Sequence, residues 1–375
     1  MTAQMETTTV EPDRQEVVSS PVGPPPTSEK VRRVGEVVLR WTLAILGALV
    51  IFGAFMAMKG VDPLQAYREM WHSTFTDSGS WGGIAVRAAP VALTALAVAV
   101  PARAGLINVG GEGQLVLGGV AAAGVYLAAG DHLPGSMILV LMLLAAAVAG
   151  AVWAALAAVM RLAFGINEAV TTLLSNYIAL DIMLYLIYSR WKDPQGSGQP
   201  ATRSLPVDAR LPLLGHTRVH VGVLIAVAAA VLVSLALSRT AWGFRLRVVG
   251  GNPEAARRAG LRVGLLLVTA MAVGGALAGL GGAVHLAGAE FKLRQGFGVS
   301  YGYIGFLASW LARHKPIRVA LAAGVLSAIA VAGDSLQIDA GLPAASVNIL
   351  MALVLLAAFG WGQTSRVRPT RGGAR

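Results

Sequence analysis

Two short runs gather side chains able to handle a polar solute, and both are framed by apolar stretches. In the first, Ala104-Gly105-Leu106-Ile107-Asn108-Val109-Gly110-Gly111-Glu112-Gly113-Gln114, four glycines stand beside Asn108, Glu112 and Gln114. Glycine loosens a helix and a carboxylate is costly in hydrocarbon, so this run bends inward or lies near the membrane interface. A turn capped by Asn108 is the structural alternative. In the second run Asn167, Thr171 and Ser175 recur at i, i+4 and i+8, while Glu168, Thr172 and Asn176 do so on the adjacent line. That spacing makes one polar stripe, opposite Leu173, Leu174 and Ile178, which faces a bundle interior as a wet path or as interhelical hydrogen bonds. Asn108, Glu112 and Gln114, with Asn167, Glu168, Thr171, Thr172 and Asn176, are therefore the candidate substrate-pathway residues.

Bond-making chemistry has no comparable signature. The chain contains no Gly-Lys pair and so no loop of the Walker A type to hold ATP phosphates, and H-E-x-x-H does not occur. His216 and His220 would share one helical turn, but no third ligand lies nearby in sequence, so no metal site is expected. Arg87, Asp181, His285 and Glu290 sit in or near apolar runs, either as pathway groups or as residues reaching for the interface.

A third run is built to stand in water. In Gly251-Asn252-Pro253-Glu254-Ala255-Ala256-Arg257-Arg258-Ala259-Gly260, Asn252 can cap free backbone N–H groups and Pro253 suits the first helical position. Glu254 complements the positive helix end and Gly260 supplies a stop. A helix this short is marginal alone, so its careful specification points to docking on a partner or to resting on its own bundle.

The elements that must position these runs are apolar. Hydrophobic residues make up 55% of the 375, charged residues 13%, and the mean hydropathy is +0.66, a balance that calls for lipid rather than water. A crossing needs roughly 20 apolar residues. Segments approaching that length lie at 41–58, 83–102, 114–129, 135–160, 169–188, 219–238, 263–286, 301–312, 319–333 and 344–361, predicting an all-α polytopic bundle of about ten transmembrane helices. Those at 114–129, 301–312 and 319–333 are short, as broken helices lining a pathway are, or as ordinary helices trimmed at their ends. In the seventh segment Gly274, Gly275, Ala278, Gly279 and Gly282 have the small-xxx-small spacing that lets helix backbones approach.

Three regions follow: a polar, proline-rich tail over 1–35 that is expected to be disordered, a membrane domain over 36–362 with its longest basic connector at 239–262, and a basic tail over 363–375. The first apolar run is too long, and begins too late, for a cleaved signal peptide, and is expected to remain as a span. With 30 Lys and Arg against 19 Asp and Glu, net charge is +11. The excess sits in connectors that alternate with spans, so it reads as topogenic charge and not as a nucleic-acid surface. It places both termini and the 239–262 connector in the cytoplasm. The absence of cysteine excludes disulfides, thiolate nucleophiles and cysteine-ligated metals.

Gly105-Leu106-Ile107-Asn108-Val109-Gly110-Gly111-Glu112-Gly113-Gln114 resembles the G-L-x-N-I-G-x-E-G-Q motif of permease subunits of bacterial ABC importers for ribose-type sugars, branched-chain amino acids and nucleosides. Gly251-Asn252-Pro253-Glu254-Ala255-Ala256 is similar to that family's G-x-N-x-x-A-A loop, and 167–178 resembles its nucleoside and simple-sugar branch, in particular the larger permease with a long amino terminus. The likeness covers about 40–360; Gly111 and Lys315-Pro316 depart from the common pattern and leave the substrate less defined. The resemblance implies a non-enzymatic permease that imports a nucleoside or simple sugar across the cytoplasmic membrane by alternating access. Its implied partners are two ABC ATPase subunits carrying ATP and Mg, a second permease in a heterodimer, an extracytoplasmic solute-binding protein and membrane lipid. Asn252, Pro253, Glu254, Ala255, Ala256 and Arg257 would be the ATPase-coupling residues. A permease for branched-chain amino acids or another small solute, an ion-coupled secondary transporter and, more distantly, a membrane enzyme are the alternatives.

Overall fold

The computed structural model describes residues 27–364 apart from 77, 78, 197, 340 and 344, so most of the two tails expected at 1–35 and 363–375 lies outside the described residues. The described chain is helical, with no strands beyond two isolated bridges. It runs through α1 (Thr27–Met58), α2 (Pro63–Trp71), α3 (Ser80–Ala102), α4 (Gly111–Ala129), α5 (Gly135–Phe164), α6 (Glu168–Tyr188) and α7 (Gly222–Arg239). It continues through α8 (Ala241–Gly251), α9 (Pro253–Arg258), α10 (Val263–His285), α11 (Tyr301–Leu311), α12 (Pro316–Asp339) and α13 (Ala345–Thr364). A π-helical turn follows α2 at His72–Thr76 and another follows α10 at Leu286–Glu290.

Every apolar segment expected to cross the membrane coincides with a helix. Among the described residues seven helices are long and apolar enough to span, or eight if the α1–α2 pair, bent by 119°, counts as one. Of the three short segments, two lengthen. Gly111 and Glu112 join α4, and α12 extends through Asp334 to Asp339, so neither is a broken span. The third, α11, has 11 residues and reaches only about 16 Å at 1.5 Å per residue, about half the hydrocarbon layer. It is a half-helix.

The bundle closes around α3 and α10, where small residues let backbones touch. A Cβ at Gly275 would overlap the Gly150 carbonyl oxygen on α5, one at Gly279 the Ala146 carbonyl, and one at Gly282 the Leu115 carbonyl on α4. On another side of α10, a Cβ at Gly274 would stand 2.6 Å from the Ala97 carbonyl of α3. The small-xxx-small spacing is thus used for packing, as expected.

The two ends of the bundle differ. At one, α8 and α9 fill the 239–262 connector beside the start of the 104–114 run: a Cβ at Gly105 would lie 3.6 Å from the Gly250 Cα. At the other, the 189–221 connector is stitched to the segment after α10. Thr202 N–H donates to the Leu293 carbonyl at 2.9 Å, Leu205 N–H to Phe291 at 2.7 Å and Leu211 N–H to Ala287 at 2.9 Å. The Arg210 guanidinium covers the Phe291 ring at 4.2 Å. Between these layers lies a polar cleft of about 440 Å³, lined in part by Asp193, Gln199, Thr202, Lys292, Arg294 and Gln295.

Candidate functional site

The 104–114 run is an ordered inward turn, knit together by its own polar groups. Asn108 donates to the Ala97 carbonyl and to the Gln114 Oε1, each at 3.1 Å. Its Oδ1 accepts from Gly110 N–H at 3.0 Å and from Gln114 Nε2 at 2.9 Å. Asn108 and Gln114 are buried and mutually satisfied. Glu112 reaches sideways to another element: its carboxylate accepts from Ser300 N–H at 2.6 Å and Gly302 N–H at 2.8 Å. Those N–H groups belong to the start of α11, so a negative side chain sits at the positive end of the half-helix. Gly302 is required there, because any Cβ would overlap the Glu112 backbone.

The polar stripe of α6 divides by line. Glu168, Thr172 and Asn176 are buried. Glu168 accepts from Ile107 N–H at 3.1 Å and pairs with Arg161. Thr172 Oγ1 accepts from Val109 N–H at 3.1 Å, and Asn176 accepts from Gly113 N–H at 2.8 Å while donating to the Val109 carbonyl at 3.0 Å. This row holds the 104–114 run rung by rung. The neighbouring line lies nearer the surface and serves its own helix: Asn167 caps α6 by accepting from Ala169 N–H at 2.8 Å, and Thr171 and Ser175 donate to carbonyls of their own turn. Leu173, Leu174 and Ile178 are exposed on the opposite face, as the periodicity predicts.

The water-facing helix is α9. Asn252 Oδ1 accepts from Glu254 N–H and Ala255 N–H, both at 3.0 Å, and Pro253 takes the first helical position. Glu254 pairs with Arg257 at 3.2 Å and Arg258 at 3.4 Å, all three exposed, while Ala256 is buried against the bundle. Gly260, at φ +80°, ends the element where an L side chain would be strained. Beneath it a cavity of about 270 Å³ is bounded by Pro253 and Arg257 on one side and by Ala104, Gly105 and Arg161 on the other. α9 and the polar turn therefore share a wall.

Three of the four isolated ionisable residues have partners. Arg87 bonds Asp334 at 2.6 Å beside the Tyr301 ring, Glu290 holds Arg294 at 2.6 Å, and His285 lies 3.9 Å from Glu290. Asp181 makes no hydrogen bond or ion pair among the described residues. His216 and His220 do not share a helical turn: a bridge joins Leu213 to His220, and the His220 Nδ1 accepts from Gly222 N–H at 3.1 Å. Sequence reasoning passed over α2 and α8, although Asp62 before Pro63 and Thr240 before Ala241 are capping signals that mark both starts.

A many-helix membrane bundle with an interior polar turn and a self-capped helix at one end has the build of a transport permease. Residues 81–359 match the family described as the branched-chain amino acid transport system / permease component, and the chain belongs to that family. It is 37% identical to the glucose ABC transporter permease protein TsgB13 of Haloferax volcanii, covering 84% of this chain and 85% of that one. It is 30% identical to the guanosine ABC transporter permease protein NupP of Bacillus subtilis, over 87% and 94% of the two chains. The nucleoside ABC transporter permease protein NupB of Lactococcus lactis is 27% identical, over 84% of this chain and 88% of that one.

Proposed function

We propose that this chain is the membrane-spanning half of an ATP-driven importer for a neutral polyhydroxylated solute, a simple sugar or a nucleoside, in the cytoplasmic membrane. The observation that carries this reading is α9: a six-residue helix, fully capped, with Glu254 and Arg257 turned to water and only Ala256 anchored. Such a helix is marginal by itself and makes sense as a plug for a partner's groove. Both termini lie in the cytoplasm with α9, on the side where the connectors concentrate Lys and Arg. An ABC ATPase holding ATP and Mg seats α9 there, a second permease completes the path, and a solute-binding protein delivers at the opposite end. The names of the relatives support sugar or nucleoside as the solute class.

Coupling runs through contacts rather than through chemistry. A tilt of α9 is felt at Gly105 and Arg161, which share its cavity wall, and Arg161 holds the Glu168 that begins the buried row on α6. Asn108, Glu112, Gln114, Glu168, Thr172 and Asn176 then set the shape of the path by fixing the turn, the half-helix and α6 relative to one another. Thr171 and Asn167 stand at its inner edge.

Reversing both charges, Glu254→Arg with Arg257→Glu, keeps the i, i+3 ion pair, gives up the one to Arg258 and inverts the face offered to the ATPase. The expected result is loss of ATPase co-purification, or hydrolysis no longer linked to uptake, with unchanged amounts of protein in the membrane. Normal association together with normal uptake would contradict the docking role.

A further inference from the structure

On the exposed face that it shares with Leu174 and Ile178, α6 carries a set of polar residues that the buried row does not explain. Tyr177, Asp181, Tyr185 and Tyr188 follow at i, i+4, i+8 and i+11, within an arc of about 80° at 100° per residue. All four are exposed, the tyrosines at 60%, 68% and 55%. Tyr303 of the half-helix, also exposed, lies 3.5 Å from Asn176 and continues this surface inward. Four of the chain's seven tyrosines thus crowd one wall.

Lipid does not account for this surface. α5 shows what a lipid-compatible face looks like in this protein: its exposed positions Val140, Leu144, Val148, Val152, Leu156 and Val159 are aliphatic without exception along the stripe. An interfacial belt explains Tyr188 at the helix end, but Tyr177 is about 16 Å further in and Asp181 about 10 Å. An aspartate is too short to reach the interface from that depth, and an unpaired carboxylate in hydrocarbon costs several kcal/mol. The wall therefore meets water or solute.

The stripe is also continuous with the outer cleft. Tyr188 Oη lies 3.5 Å from Gln295 Oε1, and Gln295 lines the 440 Å³ cleft beside Asp193, Lys292 and Arg294. From that cleft the stripe runs through Tyr188, Tyr185, Asp181 and Tyr177 toward Tyr303.

We infer that this stripe is the solute-contacting wall of the translocation path, facing the second permease, with Asp181 accepting hydrogen bonds from a pair of ring hydroxyls and the tyrosine rings stacking on a sugar or base face. A carboxylate offers two oxygens to vicinal hydroxyls, and tyrosine supplies a flat apolar surface with a polar tip, the combination a neutral polyhydroxylated ring needs. The inference rests on the permease reading and assigns the contact residues within it.

The chain has no cysteine, so single cysteines can be introduced without background. In cells carrying the full transporter, Asp181→Cys, Tyr185→Cys and Tyr177→Cys are compared with Val152→Cys on α5, using a membrane-impermeant charged thiosulfonate. Because only a thiolate reacts and it forms in water, the α6 positions should label at least about tenfold faster than Val152→Cys. Asp181→Cys should by itself lose most uptake of radiolabelled glucose or guanosine, whereas Val152→Cys should keep it before and after labelling. Labelling rates equal to those of Val152→Cys, or undiminished uptake by Asp181→Cys, would overturn the wall. Should the unlabelled transporter move neither probe, the sugar or nucleoside reading fails by itself, and the labelling rates alone decide the wall.

Discussion

Asn176 shows how a single amide can govern a membrane interior. It closes two backbone groups, Gly113 N–H and the Val109 carbonyl, that no helix ladder reaches. Asn176→Ala leaves both without a partner inside the bundle, and should cost about 1–2 kcal/mol, seen as a lower melting temperature of the purified protein. Thr171→Ala, which removes only a bond to its own helix, should stay within about 0.5 kcal/mol. Equal melting of the two variants would remove the distinction between the lines. The polarity of both lines was readable from their i, i+4 spacing, but which line is buried was not. Adjacent lines are a single residue apart, and the groups that choose between them are backbone atoms of a run some sixty residues earlier. The use of Glu112 was equally hidden, because its partners at Ser300 and Gly302 are distant in sequence.

At the scale of elements, α10 is defined by what it lacks. Gly275 and Gly279 admit the carbonyls of α5, so Gly275→Val drives a side chain into the Gly150 backbone and should destabilise the bundle by about 1–3 kcal/mol. Gly324→Val on α12 is the control, since a Cβ there meets nothing within 4 Å. Thermal denaturation of both variants decides: matching curves would mean that the α5–α10 contact is looser than described. Long apolar elements and the small-residue stripe were legible because both signals are local. α2 and α8 were not found because neither is apolar enough to stand out, and only their caps announced them. α4 and α12 looked short because their ends carry Gly111, Glu112 and Asp334, and the tertiary partners that keep such residues helical leave no mark on the segment itself.

At the scale of the whole molecule, the chain belongs to a family of transport permeases. In the function proposed for it, the polar turn, half-helix and α6 wall shape a path, and α9 receives the push of an ATPase. The family likeness was visible in the 105–114 and 251–256 motifs, whereas the α6 wall emerged only once exposure separated one face from the other. The most direct test is transport into sealed vesicles containing this chain, its partner permease and the binding protein, with radiolabelled glucose or guanosine as probe. Accumulation against a gradient should occur only when the ATPase and ATP are both present, and should be indifferent to a collapsed proton or sodium gradient. Accumulation without the ATPase, driven by either ion gradient, would contradict the account.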